Sequence, residues 1–529
     1  MSYLFTADEI RAAEKPLLDA QGFPDQLMQS AAHAVFEVAQ AMLEWPEHWV
    51  SEHVDDRNRV LILAGSGGNG GDALYAGAEL ARAGHPVDVW LTSGESHHGS
   101  LLQNRLGGQT LLQNPTADTI DPRHYKLAID GITGIGGRGG LSEEVGEVLK
   151  ALKAWYVDIL SVDVPSGVNA DTGEAYDIHV EADVTVTFGG WRRAHALAPE
   201  CGIQLLSDIE IPGHKLSDEL HSNLGKGELA YLGSRAIVPD HAWPDGISPL
   251  SHENVNHYEP GPHDDKYTGG VVGIRAGSGK YPGAAILATA GAVNATPAMV
   301  RYVGPQALEV VRAHPEVVVT ETLADAGQVQ AWVFGPGAGT DRTDELAELL
   351  ARDTPLLIDA DGITLIAESA ELQKQLTRRE AITVLTPHDG EFVRLREALG
   401  LAPGDRLAET EAMAQHLGCA VLRKGRATII VEQPCDDVQT HVHIVDAGNS
   451  WAATPGSGDV LAGLMGAFMA RAGAEFPKAS QYSLSQAVTV HARAAHLSAQ
   501  TEFGAGVSSA SKIADAVPSA IAQLAYRRF

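Results

Sequence analysis

ATPGSGDVLAG, Ala453 to Gly463, is the stretch from which the rest of the chain is read. Pro455 ends whatever precedes it. Gly456, Ser457 and Gly458 then offer backbone N–H groups with little side-chain bulk. Asp459 heads a run, Val460, Leu461, Leu464, Met465, Phe468 and Met469, that repeats with helical period. A glycine turn therefore opens a helix, with a carboxylate in its first turn. Free N–H groups at a helix start stabilise anionic oxygen. A carboxylate beside such a site repels phosphate and cannot serve to bind it. It makes sense as a base that takes a proton from a hydroxyl while the N–H groups hold a transferring phosphoryl group. Alone, GSGD reads equally well as a helix cap. The loops elsewhere in the chain favour the base.

Working backwards, the second half alternates strands and helices. Val271–Ile274 is a strand, followed by RAGSGKYPGAA and a long small-residue helix to about 295. Further strand-like runs are Val317–Thr320, Ala331–Phe334, Leu356–Asp359, Ile382–Leu385, Val421–Leu422 and Thr428–Val431. Their ends carry GPGAG (335–339), DADG (359–362), TPHDGEF (386–392) and LRKGRAT (422–428). This is one α/β domain.

The first half is another. Residues 6 to 44 have helical period. Val60–Ala64 runs as a buried strand into GSGGNGGD (65–72) and an Ala-rich helix, the opening unit of a doubly wound sheet. Val87–Leu91, Leu127–Ile129, Ile159–Val162 and Val184–Phe188 read as further strands. Asn69 and Asp72, Asp130, and Asp163 with Ser166 all fall at carboxyl ends of strands, the edge where open parallel sheets bind ligands. A second glycine loop, GITGIGGRGGL, spans 131 to 141. Neither loop is a GxGxxG dinucleotide fingerprint, and GSGGNGGD lacks the P-loop lysine. From 213 to 268 the pattern gives way to Gly, Pro, His, Ser and Asp. This predicts a loose polar junction, with the boundary near 220 to 240. Its His252, His257 and His263 read as solvated residues, not as metal ligands.

Bulk properties exclude several classes. The 529 residues exceed one ordinary domain, and the net charge of −30 argues against nucleic acid or an anionic membrane as a partner. Three widely separated cysteines, Cys201, Cys419 and Cys435, with no CxxC, indicate a reducing compartment. The opening MSYLFTADEIRAAE lacks the pattern of a signal peptide, and no apolar run is long enough to span a bilayer. A cytoplasmic protein is expected.

TPGSGD at a late helix start, preceded by a KG loop and a D-x-D strand end, resembles the ribokinase-like fold. GSGKYPGAA, GPGAG, DADG, TPHDGEF, LRKGRAT and ATPGSGDVLAG, in this order, are similar to ADP-dependent NAD(P)H-hydrate dehydratase. LAGSGGNGGDALYAGAELARAG, AIDGITGIGGRGGL and SVDVPSGVNADTG are similar to the NAD(P)H-hydrate epimerase domain. Their fusion resembles the bacterial bifunctional nicotinamide nucleotide repair enzymes. The fold this implies is a Rossmann-like doubly wound domain, residues 1–225, followed by a ribokinase-like domain, residues 226–529.

The resemblance implies epimerisation of the R and S forms of hydrated NADH and NADPH, and dehydration of the S form at the expense of ADP. It places the epimerase substrate on Gly68, Asn69, Gly70, Gly71 and Asp72, on Gly134, Ile135, Gly136, Gly137, Arg138, Gly139 and Gly140, and on Asp163, which is also expected to transfer protons. It places potassium by Asn69, Asp130 and Ser166. In the second domain Ala284, Gly337, His388 and the base Asp459 would contact the hydrate. Lys424, Gly425, Arg426, Ala427, Thr428 and Gly458 would contact the nucleotide, with magnesium on its phosphates. Partners would be the two hydrates and ADP, and the chain would be a homo-oligomer. Three departures stand out: Gly68 replaces the first Asn of Asn-Asn-Gly-Gly-Asp, Asp389 replaces the Pro after His388, and a Lys after Phe188-Gly189 is absent, with Arg192 and Arg193 nearby. The alternative left open is a ribokinase-like small-molecule kinase with an N-terminal ligand-binding or scaffolding domain.

Overall fold

The computed structural model describes residues 1–529 apart from 46–56, 95–96, 98–108, 113–114, 117–118, 138, 223, 225–228, 239–240, 257–258, 435–438, 476–480 and 526–529. The chain divides into two compact units. One comprises residues 2–227 and 238–250, the other residues 1, 228–237 and 251–529.

The first unit is built on a sheet whose spatial order is Ile247–Pro249, Ile203–Ser207, Val184–Phe188, Asp158–Val162, Tyr125–Gly131, Arg59–Ala64, Val87–Leu91, Thr110–Leu111. All neighbours are parallel except Ile247–Pro249, which runs antiparallel to Ile203–Ser207. Chain order reverses between Arg59–Ala64 and Tyr125–Gly131, so a crevice opens there beyond the carboxyl ends of the strands. The helices Ala7–Asp19, Gln26–Leu43 and Gly68–Arg82 bury Ile10, Leu17, Val35, Val38 and Leu74 in one core with Val60, Ile62, Ile129 and Val186. Thr6 caps the first helix reciprocally with Glu9. Ahead of it Ser2–Phe5 forms a strand that the helical reading did not anticipate. It pairs in parallel with Trp191–Arg192.

The second unit carries a ten-strand run: Val318–Thr320, Val300–Val303, Val272–Arg275, Ala331–Phe334, Leu356–Ile358, Thr383–Leu385, Ala420–Arg423, Ala427–Val431, Thr440–Asp446, Leu229–Arg235. Pairing is parallel up to Ala420–Arg423. The next two joints are antiparallel, and the last is parallel again. Val300–Val303, Thr440–Asp446 and Leu229–Arg235 escaped the sequence reading. The last corrects the expected loose junction: LAYLGSR pairs over seven residues with Thr440–Asp446. Its hydrogen-bond partner lies more than two hundred positions away, so no local pattern announces it. His257 lies outside the described residues.

The anticipated helix is Ser457–Glu475, with Val460, Leu461, Leu464, Met465, Phe468 and Met469 all buried. It packs backbone to backbone on the helix Pro282–Val293. A Cβ on Gly463 would stand 1.8 Å from Ala288 O, and one on Gly291 would stand 2.2 Å from Val460 O. These contacts require glycine, and they fix where the helix start points.

Candidate active sites

In the first unit the two glycine loops meet at the reversal point. A Cβ on Gly65 would be 1.9 Å from Ile132 O, and one on Gly70 would be 2.0 Å from Gly65 O. A cavity of about 570 Å³ lies against them, lined by Gly68, Asn69, Asp72, Gly134–Gly137 and Asp163, with Glu14 and Arg192. The structure thus brings together most of the substrate residues expected from sequence. Gly70 and Gly71 support the loop from within the helix Gly68–Arg82, where both are buried. Gly139 and Gly140 are not part of the cavity lining, and Arg138 lies outside the described residues.

Asp163 is held from several sides. Its φ is +66°, the left-handed region where a non-glycine residue is strained. Thr187 Oγ1 donates to its Oδ1 at 2.8 Å, and Arg192 Nη2 pairs with the same oxygen at 2.9 Å. Arg192 is 1% exposed and also donates to the Phe188 and Gly190 carbonyls. Its backbone N–H donates to His195 Nδ1 at 2.9 Å, so His195 Nε2 carries the proton and donates to Asp163 O at 2.7 Å. Burial, with the Arg192 charge adding to it, pushes the His195 pKa down to about 4, which keeps the ring neutral. Arg192 is therefore committed to the carboxylate within the protein.

Two more carboxyls share this cavity. Burial raises Asp72 well above the usual carboxylate range, and the Asp163 charge and then Glu14 add to the rise. Burial likewise raises Glu14, opposed by Arg192. Sequence reasoning missed Glu14, which lies on an ordinary amphipathic helix with no loop motif to flag it.

Asp130 is fully buried. It accepts from Ser166 Oγ at 2.6 Å, Ser166 N at 2.9 Å, Ser161 Oγ at 2.8 Å and Ile132 N at 3.2 Å. Ser166 Oγ reaches Thr133 O at 3.2 Å, and Asn69 Nδ2 reaches Val162 O at 2.6 Å and Thr133 O at 3.4 Å. Asn69, Asp130 and Ser166 thus come together around the Thr133 and Val162 carbonyls, with both Asp130 oxygens accepting hydrogen bonds and Asn69 donating through Nδ2.

In the second unit the loop at residues 424–428 and the helix start adjoin. A Cβ on Gly458 would be 3.5 Å from Lys424 Nζ, and that ammonium bonds Asp359 Oδ1 at 2.8 Å. Burial opposes the Lys424 charge, yet Asp359, Glu391 and Asp459 together lift its pKa above the ordinary value. Asp459 is pushed up to about 6, chiefly by burial and then by Asp359, with Lys424 acting in the opposite direction. A carboxylate with a pKa in that range is chemically able to act as a general base near neutrality. Ser457 N donates to Thr454 O at 3.2 Å, so its N–H is spent on the turn and is not available to a phosphate. Beneath the turn Ser457 Oγ meets His491 Nε2 at 3.1 Å, and burial lowers that ring's pKa to about 4. His491 lies on the helix Leu484–Ala499, remote in sequence, and only the fold reveals it.

Gly337 holds φ +57°, and a Cβ on it would come 2.8 Å from Ala284 Cβ. His388 caps the helix Asp389–Ala398 through Nδ1, which accepts from Gly390 N at 3.0 Å. Asp389, in place of the expected Pro, accepts from Arg423 Nε at 2.7 Å and puts a negative charge in the first turn of the helix. In the 424–428 loop Arg406 Nη2 and Nη1 each donate at 3.3 Å, to Lys424 O and Ala427 O. Arg426 Nε pairs with Asp446 at 2.8 Å. Thr428 Oγ1 donates to Gly425 O at 3.2 Å.

Comparison with known proteins follows the same division. The bifunctional NAD(P)H-hydrate repair enzyme of Corynebacterium glutamicum is 44% identical, with all of both chains covered. The chain belongs to the bifunctional NAD(P)H-hydrate repair enzyme family. The Mycobacterium leprae relative is 39% identical over 99% of this chain and all of its own. The family model described as NAD(P)H-hydrate dehydratase matches residues 272–519, and that described as YjeF-related protein N-terminus matches 24–194. The solved ADP/ATP-dependent NAD(P)H-hydrate dehydratase of Bacillus subtilis is 24% identical over 51% of this chain and 95% of that one, with a TM-score of 0.41. The α/β class expected from sequence is found in both units, the first a doubly wound parallel sheet and the second a sheet parallel over its first seven strands. Among the described residues no helix is long and apolar enough to cross a membrane.

Proposed function

We propose that the chain repairs hydrated NADH and NADPH in two steps, one per unit. The first interconverts the R and S hydrates. The second dehydrates the S form, consuming ADP and giving NAD(P)H, AMP and phosphate. The observation that carries the second step is Asp459, a carboxylate with its pKa near 6 at a glycine-flanked helix start beside Lys424. In this reading Asp459 takes the proton of the hydrate's hydroxyl as that oxygen bonds the terminal phosphorus of ADP and the bond to AMP breaks. Lys424 and the Gly458 N–H meet the charge on the phosphoryl oxygens. Phosphate then leaves the ring carbon, helped by the ring nitrogen's lone pair, and loss of a proton from the adjacent carbon restores the double bond. Magnesium on the nucleotide would neutralise part of its charge.

In the first unit Gly68–Asp72, Gly134–Gly140 and Asp163 would hold the hydrate, with Asp163 in proton transfer. Asn69, Asp130 and Ser166, with the Thr133 and Val162 carbonyls, would hold potassium. The activities would divide near residue 225.

The test is to incubate mixed hydrates with ADP, following reduced-nicotinamide absorbance and free phosphate. Regenerated NADH together with phosphate supports the reading. A stable phosphorylated product with no regenerated NADH would make the second unit a kinase instead.

A further inference from the structure

The far end of one hairpin in the second unit carries a cluster that none of this chemistry uses. His441 and His443 stand two apart on the strand Thr440–Asp446, so both fall on one face. Glu432 follows the antiparallel neighbour Ala427–Val431, and its N–H donates to His441 O at 3.2 Å. Its carboxylate reaches both rings. Oε1 is 2.9 Å from His443 Nε2, and Oε2 is 3.2 Å from His441 Nδ1. Oε2 also accepts from the His441 N–H at 3.1 Å, which fixes the orientation of the carboxylate. Among the described residues these donor atoms form a group lying within 4.8 Å of one another. The other nitrogen of His443 contacts Met1 Sδ at 3.1 Å.

Neighbouring ligands on an ion with bonds of about 2.0–2.2 Å stand about 3.0–3.5 Å apart, and the Glu432–His separations are close to that spacing. Side-chain exposure runs from 2% at Glu432 through 12% at His443 to 30% at His441, so the carboxylate is sheltered while an ion can enter past the rings. Two imidazoles and a carboxylate suit a borderline-soft ion and disfavour hard cations that prefer all-oxygen shells.

We propose that Glu432, His441 and His443 bind one first-row divalent transition metal, zinc above all, leaving a further position to water. Register places this site away from the nucleotide loop: Ala427 pairs with Asp446 at one end of the hairpin and Val431 with Val442 at the other. The ion joins two strands of the sheet and does not touch ADP. Its effect is on stability, and it holds whatever the substrate of the second unit.

The full chain, stripped with a chelator, is titrated with zinc chloride against a chromophoric zinc indicator. One tight equivalent is expected in the wild type. His443→Gln keeps a donor toward Glu432 but loses the imidazole, and should weaken zinc by more than about 100-fold. His416→Gln, at an exposed histidine outside the cluster, should change nothing. Zinc should raise the Tm of the wild type and not that of His443→Gln, and magnesium or potassium should not substitute for it. His441→Gln serves the same purpose if His443→Gln fails to fold. Absence of a tight equivalent in the wild type, or equal affinity in the wild type and the cluster variants, overturns the proposal.

Discussion

At the scale of single residues the proposed chemistry turns on two carboxylates in unlike surroundings. Asp459 is raised to about 6 by burial and the nearby Asp359. A general base acts only when deprotonated, so kcat/KM for dehydration should fall about tenfold per unit as pH drops below about 6 and level off above it. A pH–rate profile that stays flat from 5 to 8 would exclude Asp459 as that base. Asp459→Asn preserves shape but cannot accept the proton, and the loss should be about 10²–10⁴ in turnover. Asp163 differs, being fixed by Thr187, Arg192 and a left-handed φ of +66°. Asn tolerates that backbone better than most residues. Asp163→Asn should therefore fold and lose epimerisation, and a variant that loses its fold by circular dichroism would show that the carboxylate is needed for structure first.

At the scale of elements the glycines report function through packing. Gly463 and Gly291 let two helices touch backbone to backbone. Gly463→Ala should cost roughly 1–3 kcal/mol through forced separation, read as a lower Tm, and it should depress dehydration more than epimerisation because the helix carries Asp459. Gly425 sits under Arg406, whose Nη2 would be 2.6 Å from an added Cβ. Gly425→Val should raise the KM for ADP and leave epimerisation alone; an unchanged KM would move the nucleotide elsewhere. In the first unit Asn69, Asp130 and Ser166 lie at the carboxyl ends of three different strands and would be tied together by one ion. Epimerisation should be faster in potassium than in sodium, and Asp130→Asn should abolish the difference. Equal rates in both salts for the wild type would remove the ion from the scheme.

At the scale of the whole molecule, each set of site residues is built within its own compact unit. Asp459→Asn should still interconvert the hydrates while failing to regenerate NADH. Asp163→Asn, with ADP, should consume the reactive hydrate and leave the other. Chromatography of both hydrates over time distinguishes these outcomes, and loss of both activities in folded Asp459→Asn would contradict independent sites. What the sequence determined by itself was whatever local chemistry encodes. The glycine loops, the strand-end acids and the helical run after Asp459 are legible because turns, helix starts and periodicity depend on neighbours a few residues apart. Tertiary structure alone decided the rest. Leu229–Arg235 and Ser2–Phe5 become strands only because remote backbones complete their hydrogen bonds. Arg192 becomes the partner of Asp163, Glu14 a wall of the cavity and His491 the anchor of Ser457 through contacts between distant segments. The lifted pKa of Asp459 has the same origin: burial and the field of Asp359 exist only once the chain has closed around them.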